Sequence, residues 1–98
     1  MFDFERWCSW AEAQCQWRAP ANGITAQFSL GAPSPKRGAT VTFKSDRQLM
    51  QLAFWETGEA DFYGSDLHSR QGVIVFNGRL LNDASFEETF FECLFAVT

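Results

Sequence analysis

The sequence predicts an α+β fold, in which a single antiparallel sheet of about five strands carries an N-terminal and a C-terminal helix packed on one face. Three observations predict it. Apolar residues recur every three or four positions near both ends of the chain. Between these segments, apolar and polar residues alternate in short runs separated by turn-forming residues. Internal repeats and low-complexity segments are absent, so residues 1–98 are expected to form one domain.

The first element is a helix predicted over about residues 4–18. Asp3 precedes it as a favourable N-cap. Pro20 and the turn-forming pair after it are expected to end the helix. The residues expected to face the sheet are Phe4, Trp7, Cys8, Ala11 and Cys15, with Trp10 and Trp17 widening this face.

Four strands are predicted next, over about residues 23–30, 39–44, 48–55 and 59–64. Two proline residues in the 31–38 segment favour a loop between the first two strands. The link at residues 56–58 allows two registers for the last two strands. We prefer a three-residue loop with Gly58 in the left-handed conformation, which pairs Trp55 with Glu59. That register collects the apolar side chains of both strands on one face, whereas a one-residue slip would mix them with acids.

The last two elements are a fifth strand at residues 73–76 and a helix beginning near Ser85. The unbroken apolar run of the strand suggests a central position, covered on both faces. Asn77-Gly78 is expected to turn the chain after it. Ser85 and Glu88 have the spacing of a capping box. The helix stripe expected to be buried is Phe86, Phe90, Cys93, Leu94 and Val97, and its wet side is Glu87, Glu88 and Glu92.

The charge balance disfavours nucleic acid as a partner. Eight basic residues oppose twelve acidic ones, which gives a net charge of −4, whereas nucleic-acid-binding domains usually cluster Lys and Arg. The loose basic group at Lys36, Arg37, Lys44 and Arg47 is best interpreted as a solvated edge. The acidic surplus suits a cationic partner.

The cysteines are predicted to be free thiols. Cys8 and Cys15 are separated by about 10 Å along a helix, which is too far for a disulfide. Cys93 could reach one of them, although nothing in the pattern requires it. Reduced thiols are typical of the cytoplasm, where we expect the protein. We see neither a signal peptide nor an apolar run of about 20 residues that would span a membrane.

The sequence offers little catalytic chemistry. Its one histidine, His68, lies in a polar segment expected to be an exposed loop. Without a second histidine or a Cys-x-x-Cys pair, neither a zinc site nor an imidazole-based triad can be assembled, and no glycine-rich phosphate loop occurs. The cysteines fall on apolar helix stripes, where a thiol packs as a small hydrophobe. We therefore expect no enzymatic activity, no cofactor and no metal.

The wet face and tip of the hairpin at residues 49–64 are predicted to bind a protein partner. Trp and Tyr are enriched at the centres of interfaces, and carboxylates around them would meet a basic partner. A third layer over the sheet, or an edge cover, would also explain Trp55. The predicted partner-binding residues are Trp55, Glu56, Glu59, Asp61, Tyr63 and Asp66.

Two stretches carry a family resemblance. Residues 41–47 read VTFKSDR and residues 52–62 read LAFWETGEADF. With the Phe4–Trp7 pair of the opening helix and an acidic closing helix, they resemble the TriTu-type immunity proteins of bacterial contact-dependent growth inhibition and polymorphic toxin systems. The resemblance implies a cytoplasmic protein without catalytic residues that binds and neutralises the C-terminal domain of a cognate toxin, often a nuclease. The alternative is a small ligand-binding or homo-oligomeric domain with no toxin partner.

Overall fold

The fold is the predicted one, a single antiparallel sheet with a helix at each end of the chain. The computed structural model describes residues 2–31, 36–66 and 72–97, with the backbone alone at 66 and 72–76. Five strands pair in chain order, so the sheet is a simple meander. The elements are α1 (Phe4–Ala21), β1 (Thr25–Leu30), β2 (Gly38–Lys44), β3 (Gln48–Trp55), β4 (Glu59–Asp66), β5 (Gly72–Leu80) and α2 (Phe86–Ala96).

Helix α1 begins as predicted and ends later than predicted. The Asp3 carboxylate accepts a hydrogen bond from the Arg6 N–H at 3.2 Å, which is the N-cap arrangement. The helix continues through Pro20 to Ala21. Proline has no backbone N–H, so Pro20 removes one hydrogen bond from the last turn of α1. The helix tolerates this loss because it ends one residue later. Asn22 is the C-cap, and Gly23 after it has a left-handed φ of +76°, which is common just past a helix end.

The core lies between the two helices and one face of the sheet. Both predicted helix stripes are buried there, except that Cys8 is only partly buried, together with alternate residues of β2, β3 and β4. Trp17 is the exception, because it is 76% exposed, so its predicted place beside the buried stripe is wrong. At 3.6 residues per turn it points about 200° away from Cys15, a member of that stripe. Trp10 lies on nearly the same side of α1 as Trp17, but it is half-buried because its ring packs against aromatic rings of α2.

The aromatic rings of the core converge on Phe86 in the first turn of α2. Its ring centroid lies 4.8 Å from that of Phe54 on β3 and 4.9 Å from that of Trp7 on α1. The ring of Phe2 is 5.7 Å away. Phe86 therefore joins α1, α2 and the sheet at one point, and it is completely buried.

The start of α2 differs from the predicted capping box. Ser85 is the N-cap, but its side chain makes no capping bond to the helix. Its Oγ instead accepts the Asn82 N–H at 3.0 Å, while the Asn82 side-chain oxygen accepts the N–H groups of Ala84 and Ser85. Asn82 therefore forms an Asx-type turn before the helix. The Ser85 hydroxyl takes part in this turn instead of capping the helix.

Strand β5 lies at the edge of the sheet, so the predicted central position is wrong. The predicted turn at Asn77-Gly78 is wrong as well, because β5 continues through both residues to Leu80. Gly78 has a φ of +71°, and the pairing of β4 with β5 shifts register nearby. A left-handed glycine serves a β-bulge as well as a turn, and the local sequence does not distinguish the two.

Asp83 ties the turn before α2 to the beginning of α1. Its Oδ1 accepts the Asp3 backbone N–H at 3.0 Å and the Trp7 indole N–H at 2.7 Å. These two hydrogen bonds, with the bond from Asp3 the larger contributor, hold the pKa of the Asp83 carboxyl below its ordinary value. Since both donors bond the ionised form more strongly, the folded state favours the carboxylate.

We expect the stabilisation from Asp83 to disappear in acid. A folded-state pKa below the unfolded value gives stability that is present above the unfolded pKa, near 4, and is lost as the pH falls through the folded pKa. Urea unfolding of the parent and Asp83→Asn at pH 7 and at progressively lower pH measures this. Asn keeps an acceptor without the charge, so the parent should be more stable at pH 7 and the difference should shrink below about pH 4. A pH-independent difference would contradict this assignment.

Candidate protein-binding surface

The sheet has one face without a helix over it in the described part of the chain. Both helices pack against the other face, through a single core cluster. We call the uncovered side the open face. It carries alternate residues of β2, β3 and β4, and these are mostly small or polar, with one aromatic residue towards each end. Its members on these strands include Thr40, Thr42, Gln51, Ala53, Trp55, Glu59, Asp61 and Tyr63.

The hairpin of β3 and β4 has the predicted register. Gly58 has a φ of +90°, and its N–H donates to the Trp55 carbonyl at 2.8 Å. Ala53 lies opposite Asp61, and Gln51 lies opposite Tyr63. The left-handed glycine therefore places the predicted aromatic and acidic residues of the two strands on the open face together.

Trp55 is held in place by its neighbours on β2 and in the preceding segment. A Cβ added to Gly38 would lie 2.7 Å from Cδ1 and 2.8 Å from Nε1 of the indole, so the ring lies directly across this glycine. The Lys36 ammonium lies 5.3 Å from the ring centroid, in the range of a cation–π contact. The indole is thus half-buried and fixed in orientation before any partner binds.

Lys36 also neutralises one of the predicted acidic contacts. Its Nζ lies 2.9 Å from Glu59 Oε2. Both side chains remain partly exposed, so the pair is solvated and contributes little to stability. Its effect is on the surface potential, because the Glu59 charge is balanced within the protein.

Arg37 neutralises a second predicted contact and directs it away from the open face. Its Nε lies 3.1 Å from Glu56 Oε2, and its backbone N–H donates to Glu56 Oε1 at 3.2 Å. The same guanidinium bonds Glu5 on α1 at 3.0 Å and lies 5.2 Å over the Phe4 ring. The side-chain hydrogen bond from Arg37 is the main reason that the pKa of Glu56 is lowered. Glu56 therefore connects the hairpin tip to α1.

The remaining predicted residues have different surroundings. Asp61 Oδ1 accepts the Gly78 N–H at 2.7 Å, so this carboxylate supports the bulge of β5 as well as facing solvent. Tyr63 is 43% exposed. Asp66 is the last residue of β4, opposite Gln48. Trp55 and Tyr63 are separated by four positions in the paired strands, or about 13 Å at 3.3 Å per residue.

Sequence reasoning missed the roles of Lys36, Arg37 and Gly38. The sequence predicts a solvated edge for the first two, yet both form ion pairs with the hairpin, whereas Lys44 and Arg47 are exposed as expected. The register of β2 against β3 explains this, because Gly38 pairs with Trp55. The two cations that precede Gly38 must therefore lie beside the hairpin tip.

The described residues offer no alternative chemical centre. Within residues 2–31, 36–66 and 72–97, no three His, Cys, Asp or Glu side chains group as a metal site would require, and His68 lies outside these ranges. Cys8, Cys15 and Cys93 are free thiols. Burial raises the pKa of Cys8 and Cys15 to about 11 and raises that of Cys93 as well. Protonated thiols at neutral pH are weak nucleophiles.

Comparison with known proteins adds no relative. Neither a family model, nor a curated protein, nor a solved structure matches this chain. None of the helices in the described residues combines the length and apolar character needed to cross a membrane.

Proposed function

We propose that this chain is a cytoplasmic immunity protein, which binds and neutralises the C-terminal toxin domain of a cognate contact-dependent inhibition or polymorphic toxin system. The proposal begins with the resemblance of residues 41–47 and 52–62 to TriTu-type immunity proteins. It requires a binding surface and no catalytic residue. The toxin domain is proposed to be a nuclease, whose substrate-binding surface would be basic.

The observation that carries the proposal is the open face with its fixed Trp55. A sheet face of small and polar residues, about 13 Å long between two aromatic residues, is suited to contact with another protein. Aromatic anchors contribute most to affinity when their conformation is set in advance, because binding then costs little side-chain entropy. Gly38 and Lys36 supply this constraint for Trp55.

The acidic residues have a narrower role in this proposal than their number suggests. Glu59 is paired with Lys36, and Glu56 shares Arg37 with Glu5, so much of the charge of Glu56 and Glu59 is offset within the protein. Asp61 lies on the open face between the two aromatic residues and is the carboxylate best placed to meet a basic toxin group. Charged groups at an interface act mainly on association rate and its salt dependence.

Co-expression with the toxin domain encoded beside this chain tests the proposal. We expect the chain to restore growth and to copurify with that domain as a stable complex, and to give no protection against an unrelated toxin domain. The purified chain alone should sediment as a monomer. A stable homodimer that buries Trp55, with no complex formed by the toxin domain, would instead establish the homo-oligomeric alternative.

A further inference from the structure

The helix layer exposes aromatic side chains on its outer surface, opposite the sheet. Trp17 on α1 is 76% exposed and Phe95 on α2 is 52% exposed. Phe91 and Trp10 are half-buried beside the core. Scattered exposed apolar residues are ordinary, but a connected group of large ones marks an interaction surface. We call these four residues the aromatic strip.

Three members of the strip contact one another across the two helices. The Trp10 and Phe91 ring centroids are 5.5 Å apart, and those of Phe91 and Phe95 are 6.0 Å apart in a stacked arrangement. The Arg18 guanidinium lies 4.9 Å over the Phe91 ring and its Nε donates to Gln14 at 2.9 Å. Trp17 lies seven residues, or about two turns, beyond Trp10 along the same side of α1.

The charges beside the strip are mainly negative, and Arg18, which lies over the Phe91 ring, is the exception among the contacts described above. Glu87, Glu88 and Glu92 are exposed on α2, which contains no basic residue. None of the three forms an ion pair in the described part of the chain, unlike Glu56 and Glu59 at the hairpin. The helix that carries Phe91 and Phe95 therefore presents three carboxylates beside the strip that no ion pair among the described residues balances.

We infer that the aromatic strip binds a cationic amphipathic segment of a partner protein. Apolar side chains of the segment would cover Trp17, Phe91 and Phe95, while its Lys or Arg side chains would reach the carboxylates of α2. The same carboxylates repel nucleic acid, an anionic membrane surface and a second copy of this chain. An amphipathic segment that meets aromatic rings with one face and acids with its flanks is an established way of peptide recognition.

This surface is independent of the proposed toxin-binding face. It lies on the helix layer, with the sheet between it and Trp55. A partner could therefore occupy either surface without displacing the other, and each can be altered without touching the other.

The test uses the purified full chain and a synthetic amphipathic helical peptide with Leu on one face and Lys on the other. The peptide is about 18 residues, or five helical turns, long. Calorimetric titration should show saturable one-to-one binding, and tryptophan fluorescence should shift as Trp17 is covered. A peptide with Glu in place of Lys should not bind. Trp17→Ala or Phe95→Ala should weaken binding about thirty-fold, as expected for loss of an aromatic anchor.

Matched variants separate this site from general attraction to an acidic protein. The double variant Glu88→Lys/Glu92→Lys should weaken binding strongly. The double variant Glu12→Lys/Asp46→Lys changes the net charge by the same amount and should weaken binding far less. Trp55→Ala should have no effect. The inference is overturned if the peptide fails to bind, if both charge pairs act alike, or if Trp55→Ala weakens binding as much as Trp17→Ala.

Discussion

Replacing Phe86 with alanine is expected to lower the free energy of unfolding by about 3–5 kcal/mol, the usual loss for a buried Phe. Domains of this size are stable by roughly 5–15 kcal/mol, so the variant would lose a large fraction of its stability. Phe86 is completely buried and its ring meets α1, β3 and α2 at once. No single element can move to fill the cavity without releasing its contacts with the other two.

Urea unfolding followed by circular dichroism measures this loss, and Phe95→Ala is the matched control. It makes the same substitution on the same helix, at a side chain that is 52% exposed. We expect it to cost at most about 1.5 kcal/mol, the upper range for one aromatic pair. Phe86→Leu keeps a large apolar side chain at this position and should lose less stability than Phe86→Ala. Equal losses for Phe86→Ala and Phe95→Ala would contradict the assigned core.

The hairpin shows how far sequence reasoning could reach. The choice between two registers depended on local chemistry, because only Gly58 could take the left-handed conformation and only one register kept acids out of the apolar face. The structure confirms both, with a φ of +90° at Gly58 and Ala53 opposite Asp61. Where a turn residue and a period-two pattern agree, local sequence was sufficient to specify the open face.

Features that depend on tertiary pairing were not predictable in the same way. The cations Lys36 and Arg37 are 23 and 19 residues from the acids they pair with, and only the pairing of β2 with β3 brings them together. The position of β5 at an edge follows from strand order, which an apolar run does not encode. Asn77-Gly78 is compatible with a turn or a bulge, and the hydrogen bond from Gly78 to Asp61 accompanies the bulge.

The toxin-binding proposal makes its largest prediction at Trp55. Replacing it with alanine is expected to weaken binding of the cognate toxin domain by about 2 kcal/mol, or roughly thirty-fold, mainly through faster dissociation. The side chain lies on the open face and is half-exposed, so the variant should keep its fold. Biolayer or plasmon-resonance kinetics against the toxin domain, with circular dichroism as a folding check, measure the effect.

Two further variants make the Trp55 result specific. Gly38→Ala leaves the indole in the protein but places a methyl group within 2.8 Å of Cδ1 and Nε1, so the ring must move. We therefore expect weaker binding, in the same direction as Trp55→Ala and smaller. Trp17→Ala removes an exposed tryptophan from the opposite side of the molecule and should leave the toxin affinity unchanged. If Trp17→Ala weakens binding while Trp55→Ala does not, the toxin occupies the helix layer and the open face is not the interface.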